Sequence, residues 1–306
     1  MPALVAGNHV FGLASPETWM AGTSPAMTIR AGHLRHRAHV AGGAAGYFID
    51  ARIAPRHLPA SRIDRSIPMG ATVSGNRALI VRTLHRYTID GIQLLAIDEA
   101  DSQAANYVAW ELQADDYRIR GIKFDPGDVV IDIGAHIGLF SIYLAKRWPG
   151  LRVFSFEPFP SNFRNCAENL QVNRVTNVVL SPKAITSDNR LLSMATDPQN
   201  SGGASAVVRT FESSGIVTDL PSITLDEVFR VHEIDRCKLL KIDCEGMEYE
   251  ILPGARVLDR VEYLAGEFHA SASLQDRGWN PERLRAYCSS FFADDRMAIQ
   301  FNEIPD

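Results

Sequence analysis

The stretch that decides the fold is Val129-Val130-Ile131-Asp132-Ile133-Gly134-Ala135-His136-Ile137-Gly138. Its first five residues are mostly β-branched and apolar, which predicts a buried parallel strand that ends at a glycine turn. A helix is predicted from about Leu139 to Arg147, and Trp148-Pro149-Gly150 ends it. The glycines allow a ligand to approach the backbone, and the helix start offers unpaired N–H groups. The sequence therefore predicts a strand–loop–helix junction that binds a small ligand carrying a carboxylate or a phosphate.

The spacing of the glycines distinguishes between two classes of nucleotide. The dinucleotide fingerprint is G-x-G-x-x-G, whereas Asp132 here precedes G-x-x-x-G, which matches a nucleoside without a pyrophosphate better than NAD. Glu157 follows the next predicted strand, Leu151 to Phe156, and lies nineteen residues beyond Gly138. A doubly wound fold carries at this position the acid that binds ribose hydroxyls. The sequence therefore predicts an α/β fold with a doubly wound, mostly parallel sheet and helices on both faces.

The composition restricts the class of protein. The 306 residues, 46% of them hydrophobic, are enough for one large or two small domains with a substantial core. The formal charge of −5 argues against a nucleic-acid-binding protein that depends on phosphate contacts, and the absence of a long uncharged apolar run predicts no membrane span. The start of the chain lacks a secretory signal pattern, so we expect a cytoplasmic protein. The four cysteines lack metal-ligand spacing and are predicted to be separate reduced thiols, with Cys237 and Cys244 in the core.

Three segments of different character follow one another along the chain. Residues 1–70 are rich in Ala, Gly and Arg and are predicted to be poorly ordered, with a basic arm for an acidic partner as the alternative. Residues 71–125 contain two β-like runs across the Asp90-Gly91 turn, which predict a hairpin, and then a helix from about Gln103 to Gln113. This helix is either a lid over the ligand or an element packed on the sheet edge, and its candidate contact residues are Tyr107, Trp110 and Glu111. Residues 126–306 are predicted to form the ligand-binding domain.

The remaining elements alternate between strands and helices. Further strands are predicted at residues 177–180, 238–243, 261–269 and 297–301, and further helices at residues 161–173, 225–232 and 281–287. Ser161 is the predicted cap of the first of these helices. The Gly/Ser-rich residues 200–205 are predicted to form a loop between short strands at 191–194 and 206–209, either as a hairpin tip or as a flap beside the substrate.

Three blocks of sequence stand at the ends of predicted strands. They are Val130-Ile131-Asp132-Ile133-Gly134-Ala135-His136-Ile137-Gly138, Phe156-Glu157-Pro158 and Leu240-Lys241-Ile242-Asp243-Cys244-Glu245-Gly246-Met247-Glu248. Together they resemble the FkbM family of S-adenosylmethionine-dependent methyltransferases, over roughly Asp125 to His269, and Lys-Ile-Asp-x-Glu-Gly is the most specific part. The resemblance implies a Rossmann-like class I methyltransferase fold. It also implies methyl transfer to hydroxyl oxygens of sugars, glycans or polyketide-like metabolites.

The resemblance also implies a set of cofactor-binding residues for S-adenosylmethionine. They are Asp132, Gly134, Ala135, His136, Gly138, Glu157 and Ala184. The loop amides are expected to hold the methionine carboxylate, Asp132 to accept from its ammonium, and Glu157 to bind the ribose hydroxyls. Ala184 is expected beside the adenine. His136 stands where many members of the family have Asn, which is a variation that can alter the affinity for the cofactor.

Three residues after the later strands are the candidate catalytic residues: Asp243, Glu245 and His269. Asp243 is predicted to face the crevice where such folds bind substrate, and each of the three is a candidate base for removing the proton of the acceptor. The alternatives are that the acids only stabilise the start of a helix, or that they form a hard-metal site with Glu267 or His269. The favoured prediction is a site without a metal.

Two other functions remain open at this point. One is an NAD-type oxidoreductase on a related fold, which the glycine spacing disfavours. The other is a non-catalytic cofactor-binding protein that recognises a partner through its arginine-rich leader. A nucleic-acid methyltransferase is disfavoured by the net charge, and because Asp243-Cys244-Glu245-Gly246 replaces the Asn/Asp-Pro-Pro-aromatic signature of amino-methylating enzymes. The predicted partner is therefore a small-molecule or glycan acceptor.

Overall fold

The structure is a computed structural model of the chain, and it describes residues 82–100, 102–197, 200–205 and 216–304. The predictions made for residues 1–70 and for a strand at residues 206–209 therefore lie outside the described residues. In the described part of the chain the elements are β1 (Arg82–Ile89), β2 (Ile92–Glu99), α1 (Ala104–Ala114), β3 (Val129–Ile133), α2 (Leu139–Arg147), β4 (Arg152–Phe156), α3 (Pro160–Val172), β5 (Val178–Ser181), β6 (Ala184–Thr186), β7 (Leu192–Asp197), β8 (Asn200–Ser205), β9 (Ile216–Leu220), β10 (Ser222–Thr224), α4 (Leu225–Val231), β11 (Cys237–Ile242), α5 (Glu248–Gly254), β12 (Val261–Ala270), α6 (Ala272–Asp276), α7 (Pro281–Cys288) and β13 (Met297–Glu303).

Six of these strands form one parallel sheet. Its order is β13-β12-β11-β3-β4-β5, and each neighbouring pair is parallel. The chain builds β3, β4 and β5 outward to one side and later β11, β12 and β13 outward to the other. The point where the order reverses therefore lies between β3 and β11. The loops after these two strands diverge, which leaves a crevice at the carboxyl edge of the sheet.

Side chains along β3 alternate between two hydrophobic cores, one on each face of the sheet. Val129, Ile131 and Ile133 are buried in the core that includes residues of α4, α5 and α7. Val130 is buried in the other core, which includes residues of the β1–β2 hairpin and of α1, α2 and α3. The predicted α/β class, the mostly parallel sheet and the helices on both faces are therefore confirmed.

Two buried asparagines, Asn169 of α3 and Asn173 directly after it, attach the hairpin to the sheet domain. The side-chain amide of Asn169 accepts from the N–H of Ile97 at 2.6 Å and donates to its carbonyl at 3.1 Å. Asn173 forms the same pair of bonds with Leu95 at 3.0 and 2.6 Å. Each amide thereby satisfies a donor and an acceptor on the free edge of β2, as a further strand would. These contacts fix the hairpin against α3, on the sheet face that α2 and α3 cover.

Two sequence-based expectations differ from the structure. Helix α3 begins at Pro160, with Phe159 in the N-cap position, instead of being capped by Ser161. Proline is favoured in the first turn because it lacks the N–H that would be unpaired there. Residues 200–205, predicted as a loop, form β8, which pairs antiparallel with β7. The ladder with β7 outweighs the low strand propensity of the two glycines.

The described helices and the four cysteines bear on two other expectations. None of the helices in the described part of the chain has the length and apolar character needed to cross a membrane. The four cysteines are free thiols. Cys237 is buried in the core as predicted, whereas Cys244 is only half-buried and lines the cavity described below.

Gly134 is expected to be far less tolerant of substitution than Gly91. Both have φ of +78°, but a Cβ at Gly134 would lie 1.8 Å from the carbonyl oxygen of Asp243, whereas at Gly91 it would meet nothing within 4 Å. Gly91→Ala should therefore cost only the backbone strain, about 1–2 kcal/mol. Gly134→Ala should cost roughly 3–5 kcal/mol because steric overlap is added to the strain. Urea unfolding of the two variants measures the difference, and equal losses would show that β3 and β11 do not approach as described.

Candidate active site

A cavity opens at the carboxyl edge of the sheet, beside the point where the strand order reverses. It encloses about 1090 Å³, part of which is open to solvent. Its polar and charged lining consists of Glu111, His136, Glu157, Asn162, Lys183, Asp243, Glu245 and Glu267. Its apolar lining includes Ile133, Phe156, Ala184, Ile185, Leu192, Met194 and Met247. An acidic region and an apolar region therefore share one cavity, at the place where doubly wound folds bind ligands.

Glu157 follows β4 and is held in the cavity wall by two backbone amides. Its Oε2 accepts from the N–H of His136 at 2.8 Å, and its Oε1 accepts from the N–H of Phe159 at 2.9 Å. Each oxygen keeps a further lone pair for a ligand. Burial raises the pKa of Glu157 to about 7, although the two N–H groups oppose this shift. The charge of Glu157 is therefore sensitive to pH near neutrality.

The amides of the glycine loop form hydrogen bonds within the protein. The N–H groups of Gly134 and Ala135 both donate to the carbonyl of Phe156 at 3.0 Å, and that of Gly138 donates to Ala135 at 2.7 Å. The N–H of His136 donates to Glu157. These hydrogen bonds fix the loop against the end of β4 and set the position of Glu157. The expected binding of a ligand carboxylate by the loop amides stays a prediction.

A polar row crosses three strands on the sheet face that α2 covers. Asp132 of β3 lies opposite Lys241 of β11 on one side and opposite Ser155 of β4 on the other. The Ser141 hydroxyl of α2 donates to Asp132 Oδ2 at 2.6 Å. Asp132 is fully buried, and burial raises its pKa although the Lys241 ammonium opposes the shift. The structure thus places Asp132 behind the cavity wall, where it contacts protein groups.

Lys241 is a buried cation that joins this row to the cavity. Its Nζ lies 3.6 Å from Asp132 Oδ1 and donates to Asp243 Oδ2 and to the carbonyl of Gly134, each at 3.1 Å. Burial opposes the charge, but Asp243 and then Asp132 raise the pKa of Lys241 above its ordinary value. No role was predicted for Lys241, because the sequence alone does not show which of the two lysines of β11, Lys238 or Lys241, is buried.

Asp243 follows β11 directly, and glycines on both sides let the backbone close around it. A Cβ at Gly266 of β12 would lie 1.8 Å from the carbonyl oxygen of Ile242, just as Gly134 closes on Asp243 itself. Burial opposes ionisation, but Lys241 and His269 hold the pKa of Asp243 below its usual range. Asp243 therefore presents an ionised carboxylate to the cavity, with one oxygen bound by Lys241.

His269 near the end of β12 lies behind the acidic region and is 2% exposed. Its Nδ1 is 2.9 Å from Glu248 Oε1. Its Nε2 lies 3.8 Å from Asp243 Oδ1, 3.8 Å from Glu245 Oε2 and 3.7 Å from Glu267 Oε2. Burial opposes protonation, but Glu248 and the neighbouring carboxylates raise the pKa of His269 to about 10. His269 is therefore surrounded by carboxylates rather than poised as a neutral base.

Three further carboxyl groups in the cavity titrate near neutrality. Burial raises the pKa of Glu245 to about 7, and His269 opposes this shift. Burial, followed by the charge of Asp243, raises the pKa of Glu111 and of Glu267 to about 7. Glu267 also accepts from the side-chain amide of Asn302. The acidic region therefore holds more carboxyl groups than its cations can compensate.

Helix α1 forms part of the cavity wall and also packs on the sheet domain. Tyr107 and Glu111 line the cavity, and the Tyr117 hydroxyl donates to Glu111 at 3.0 Å. Tyr107 is 67% exposed, and Trp110 on the same helix is 55% exposed but is not part of the lining. Helix α1 therefore lines the cavity with one side and packs into the core beside the hairpin and α2 with the other, and its role as a lid over the ligand stays a prediction.

The structure brings most of the predicted site residues together and separates the others from the cavity. Those that line the cavity are Gly134, His136, Glu157, Ala184, Asp243 and Glu245. Those that do not are Asp132, Ala135, Gly138 and His269. Sequence reasoning missed Lys241 and Glu248 and gave Glu111 and Glu267 only minor roles. The spacing Lys-Ile-Asp-x-Glu-Gly-x-Glu at residues 241–248 places Lys241 and Glu248 beside the candidate residues Asp243 and Glu245, and it could have indicated that they belong to the site.

Comparison with known proteins gives one family match and several relatives. The family described as "Methyltransferase FkbM domain" matches residues 132–293. The chain is 27% identical over 182 residues to 31-O-demethyl-FK506 methyltransferase FkbM of Streptomyces tacrolimicus, covering 50% of this chain and 70% of that protein. It is 28% identical over 151 residues to hexuronic acid methyltransferase AglP of Haloferax volcanii, covering 49% and 59%. It is 24% identical over 148 residues to Methyltransferase 1 of Beauveria bassiana, which covers 43% of this chain and 59% of that protein. The chain therefore spans just over half the length of the last two relatives.

Proposed function

Because this chain belongs to the family of FkbM methyltransferase domains, we propose that it transfers a methyl group from S-adenosylmethionine to a hydroxyl oxygen of a sugar, a glycan or a polyketide-like small molecule. The observation that carries this proposal is the cavity at the carboxyl edge of the sheet. It joins Glu157, beside the glycine loop, to the carboxylates of Asp243 and Glu245. The cavity thus offers one place for a nucleoside and another for the acceptor oxygen.

The lining of the cavity fits this methyl donor in three respects. The apolar residues, such as Ile185 and Leu192, suit an adenine ring, and the free lone pairs of Glu157 suit the ribose hydroxyls. The donor carries a net positive charge from its sulfonium and ammonium groups, which suits an acidic cavity. NAD suits it less, because its pyrophosphate would meet carboxylates, and the loop amides that would bind it are already used.

The chemistry requires positioning and one proton transfer. S-adenosylmethionine supplies a methyl group that its sulfonium sulfur has already activated. The protein has to hold the acceptor oxygen in line with this methyl group and take up the hydroxyl proton. We assign the proton uptake to Glu245, which lines the cavity and whose pKa burial raises to about 7, because Asp243 is held ionised with one oxygen bound by Lys241. His269 and Lys241 act as positioning residues, because both contact Asp243 from behind the wall.

The names of the relatives indicate the class of acceptor. One relative is a 31-O-demethyl-FK506 methyltransferase and another is a hexuronic acid methyltransferase. The first name specifies an oxygen as the methylated atom and the second names a sugar acid, so we propose a hydroxyl of a sugar or a polyketide-like compound as the acceptor here. Tyr107 at the cavity rim offers an aromatic face against which a sugar ring can pack.

Incubation with methyl-labelled S-adenosylmethionine tests the proposal directly. The acceptor panel contains a hexuronic acid glycoside, a neutral sugar glycoside, a macrolide alcohol and an amino sugar that offers both nitrogen and oxygen. We expect label in a product whose carbon-13 chemical shift identifies an O-methyl group. An N-methyl product would contradict the assignment of oxygen as the acceptor. Binding of NADH in place of S-adenosylhomocysteine would contradict the proposal as a whole.

Tyr107→Ala is expected to raise the KM for the acceptor about 3- to 10-fold and to leave kcat nearly unchanged. The reason is that Tyr107 lies at the rim, where loss of ring packing weakens ground-state and transition-state binding equally. Trp110→Ala is the matched control, since Trp110 is on the same helix and similarly exposed but does not line the cavity. Steady-state kinetics with the best acceptor measures both variants. The same KM for both variants would show that α1 does not contact the acceptor.

A further inference from the structure

We propose that Asp243, Glu267 and His269 bind one divalent cation at the acceptor end of the cavity. Each residue offers one ligand atom, and these atoms all lie within 4.8 Å of one another. Around an octahedral cation with bonds of about 2.2 Å, adjacent ligand atoms are ~3.1 Å apart and opposite ones ~4.4 Å. The spacing of the three ligand atoms therefore matches a coordination sphere with little rearrangement.

The histidine provides an observation independent of the acidic residues. Its side chain is 3% exposed, and its Nε2 faces Asp243, Glu245 and Glu267 at 3.7–3.8 Å. These distances are too long for hydrogen bonds, but they suit atoms that share an ion between them. A buried imidazole nitrogen is thus directed into the centre of the cluster without a hydrogen bond to any of its carboxylates.

Glu248 holds the imidazole in the orientation that a metal ligand needs. Its Oε1 is 2.9 Å from His269 Nδ1 and also accepts from the N–H of Cys244 at 2.9 Å. Metal-binding histidines nearly always donate their second ring nitrogen to a carboxylate or a carbonyl. A bound cation would displace the Nε2 proton that the carboxylates otherwise stabilise, and the ring, with its remaining proton on Nδ1 facing Glu248, would then direct the Nε2 lone pair at the cluster. Orienting His269 thereby accounts for the position of Glu248, which is fully buried behind the site.

The distribution of charge leaves a place for a cation. Lys241 binds Asp243 through Oδ2, while Asp243 Oδ1 is the oxygen that faces His269. Glu267 Oε2 lies 3.7 Å from the same imidazole nitrogen. A set of carboxylates with one imidazole suits Mn²⁺, and Mg²⁺ as its competitor.

The role of the cation rests on the proposed function, whereas its binding does not. A cation here would hold the acceptor hydroxyl beside Glu245 and lower the pKa of that hydroxyl. It would also allow an anionic sugar to enter a cavity that is otherwise lined by carboxylates. The site therefore favours acceptors with neighbouring hydroxyl or carboxylate oxygens over isolated alcohols.

Mn²⁺ titration of the full chain, stripped with EDTA and followed by electron paramagnetic resonance and calorimetry, tests the proposal. We expect about one Mn²⁺ per chain, at least ~10-fold weaker binding in Glu267→Gln, and a loss of roughly 10- to 100-fold in Glu248→Gln. Glu157→Gln is the matched control, because it changes a buried carboxylate elsewhere in the same cavity. It should keep Mn²⁺ binding and lose affinity for S-adenosylhomocysteine, whereas Glu267→Gln should show the opposite pattern.

The outcomes separate the cation site from the proposed function. Absence of Mn²⁺ binding by the wild-type chain, or equal binding by the wild type and Glu267→Gln, would overturn the site even where S-adenosylhomocysteine binds. Mn²⁺ binding that depends on Glu267 supports the site even where no methyl donor binds. Thermal unfolding without metal controls for folding, and Glu267→Gln should melt no lower than the wild type because it removes a carboxylate from a crowded cluster.

Discussion

Lys241→Met is expected to lower the free energy of unfolding by roughly 3–5 kcal/mol, because it leaves buried carboxylates without their cation. The Lys241 side chain is 5% exposed, and its ammonium contacts Asp132, which is fully buried, as well as Asp243. Methionine keeps most of the volume of the side chain, so the loss of stability is caused by removal of the charge and not by formation of a cavity. Urea unfolding monitored by circular dichroism measures the change.

Lys238→Met is the matched control for this experiment. Lys238 lies on the same strand, but its ion pair with Glu262 is at 3.0 Å between side chains that are 15% and 25% exposed. Partly exposed pairs contribute about 1 kcal/mol or less, so this variant should unfold close to the wild type. If the two lysine variants lost the same stability, Lys241 would not be the buried cation that organises the site.

Glu157→Gln is expected to weaken the binding of S-adenosylhomocysteine roughly 10- to 150-fold, which corresponds to the loss of one hydrogen bond to a charged group. The amide also cannot accept from both His136 and Phe159, whose N–H groups hold the carboxylate in place. Isothermal titration calorimetry measures the affinity. Glu168→Gln is the control, because Glu168 lies on α3 with a 37% exposed side chain and pairs with Arg82 away from the cavity.

The affinity of the wild type for S-adenosylhomocysteine is expected to rise with pH, because Glu157 has to be ionised to bind the ribose. The ionised carboxylate is the form that accepts hydrogen bonds from ribose hydroxyls, and burial raises its pKa to about 7. Affinity should therefore be highest above pH 7 and should fall as the pH drops through 7, by at most about tenfold per pH unit. Calorimetry at pH 6, 7 and 8 checks this. An affinity that rises on acidification would assign the ribose to another group.

The sequence predicted the elements whose stability is local in origin. The mostly apolar strand β3 and the helix from Leu139 to Arg147 have the predicted bounds, because β-branched residues and the glycine turn act over a few residues. The spacing of Glu157 was informative for the same reason, since it follows from the length of one strand–helix–strand unit. The family predicted from the three sequence blocks is confirmed by the family match over residues 132–293.

The parts that the sequence did not predict depend on which strands become neighbours. Lys238 and Lys241 look alike in the sequence of β11, and the burial of Lys241 becomes understandable only when β11 pairs with β3 and sets it opposite Asp132. Glu248 reads as a helix-capping acid until β12 brings His269 against it. Asn169 reads as a polar residue on an exposed helix face until β2 presents its free edge. Register between distant strands is absent from any local pattern.

A crystal structure with bound S-adenosylhomocysteine tests the central claim most directly. The account predicts the nucleoside in the cavity at the carboxyl edge of β3 and β4, with both ribose hydroxyls within hydrogen-bond distance of the Glu157 carboxylate and the adenine beside Ala184. A nucleoside bound elsewhere on the chain, or bound here with Glu157 directed away from the ribose, would contradict it.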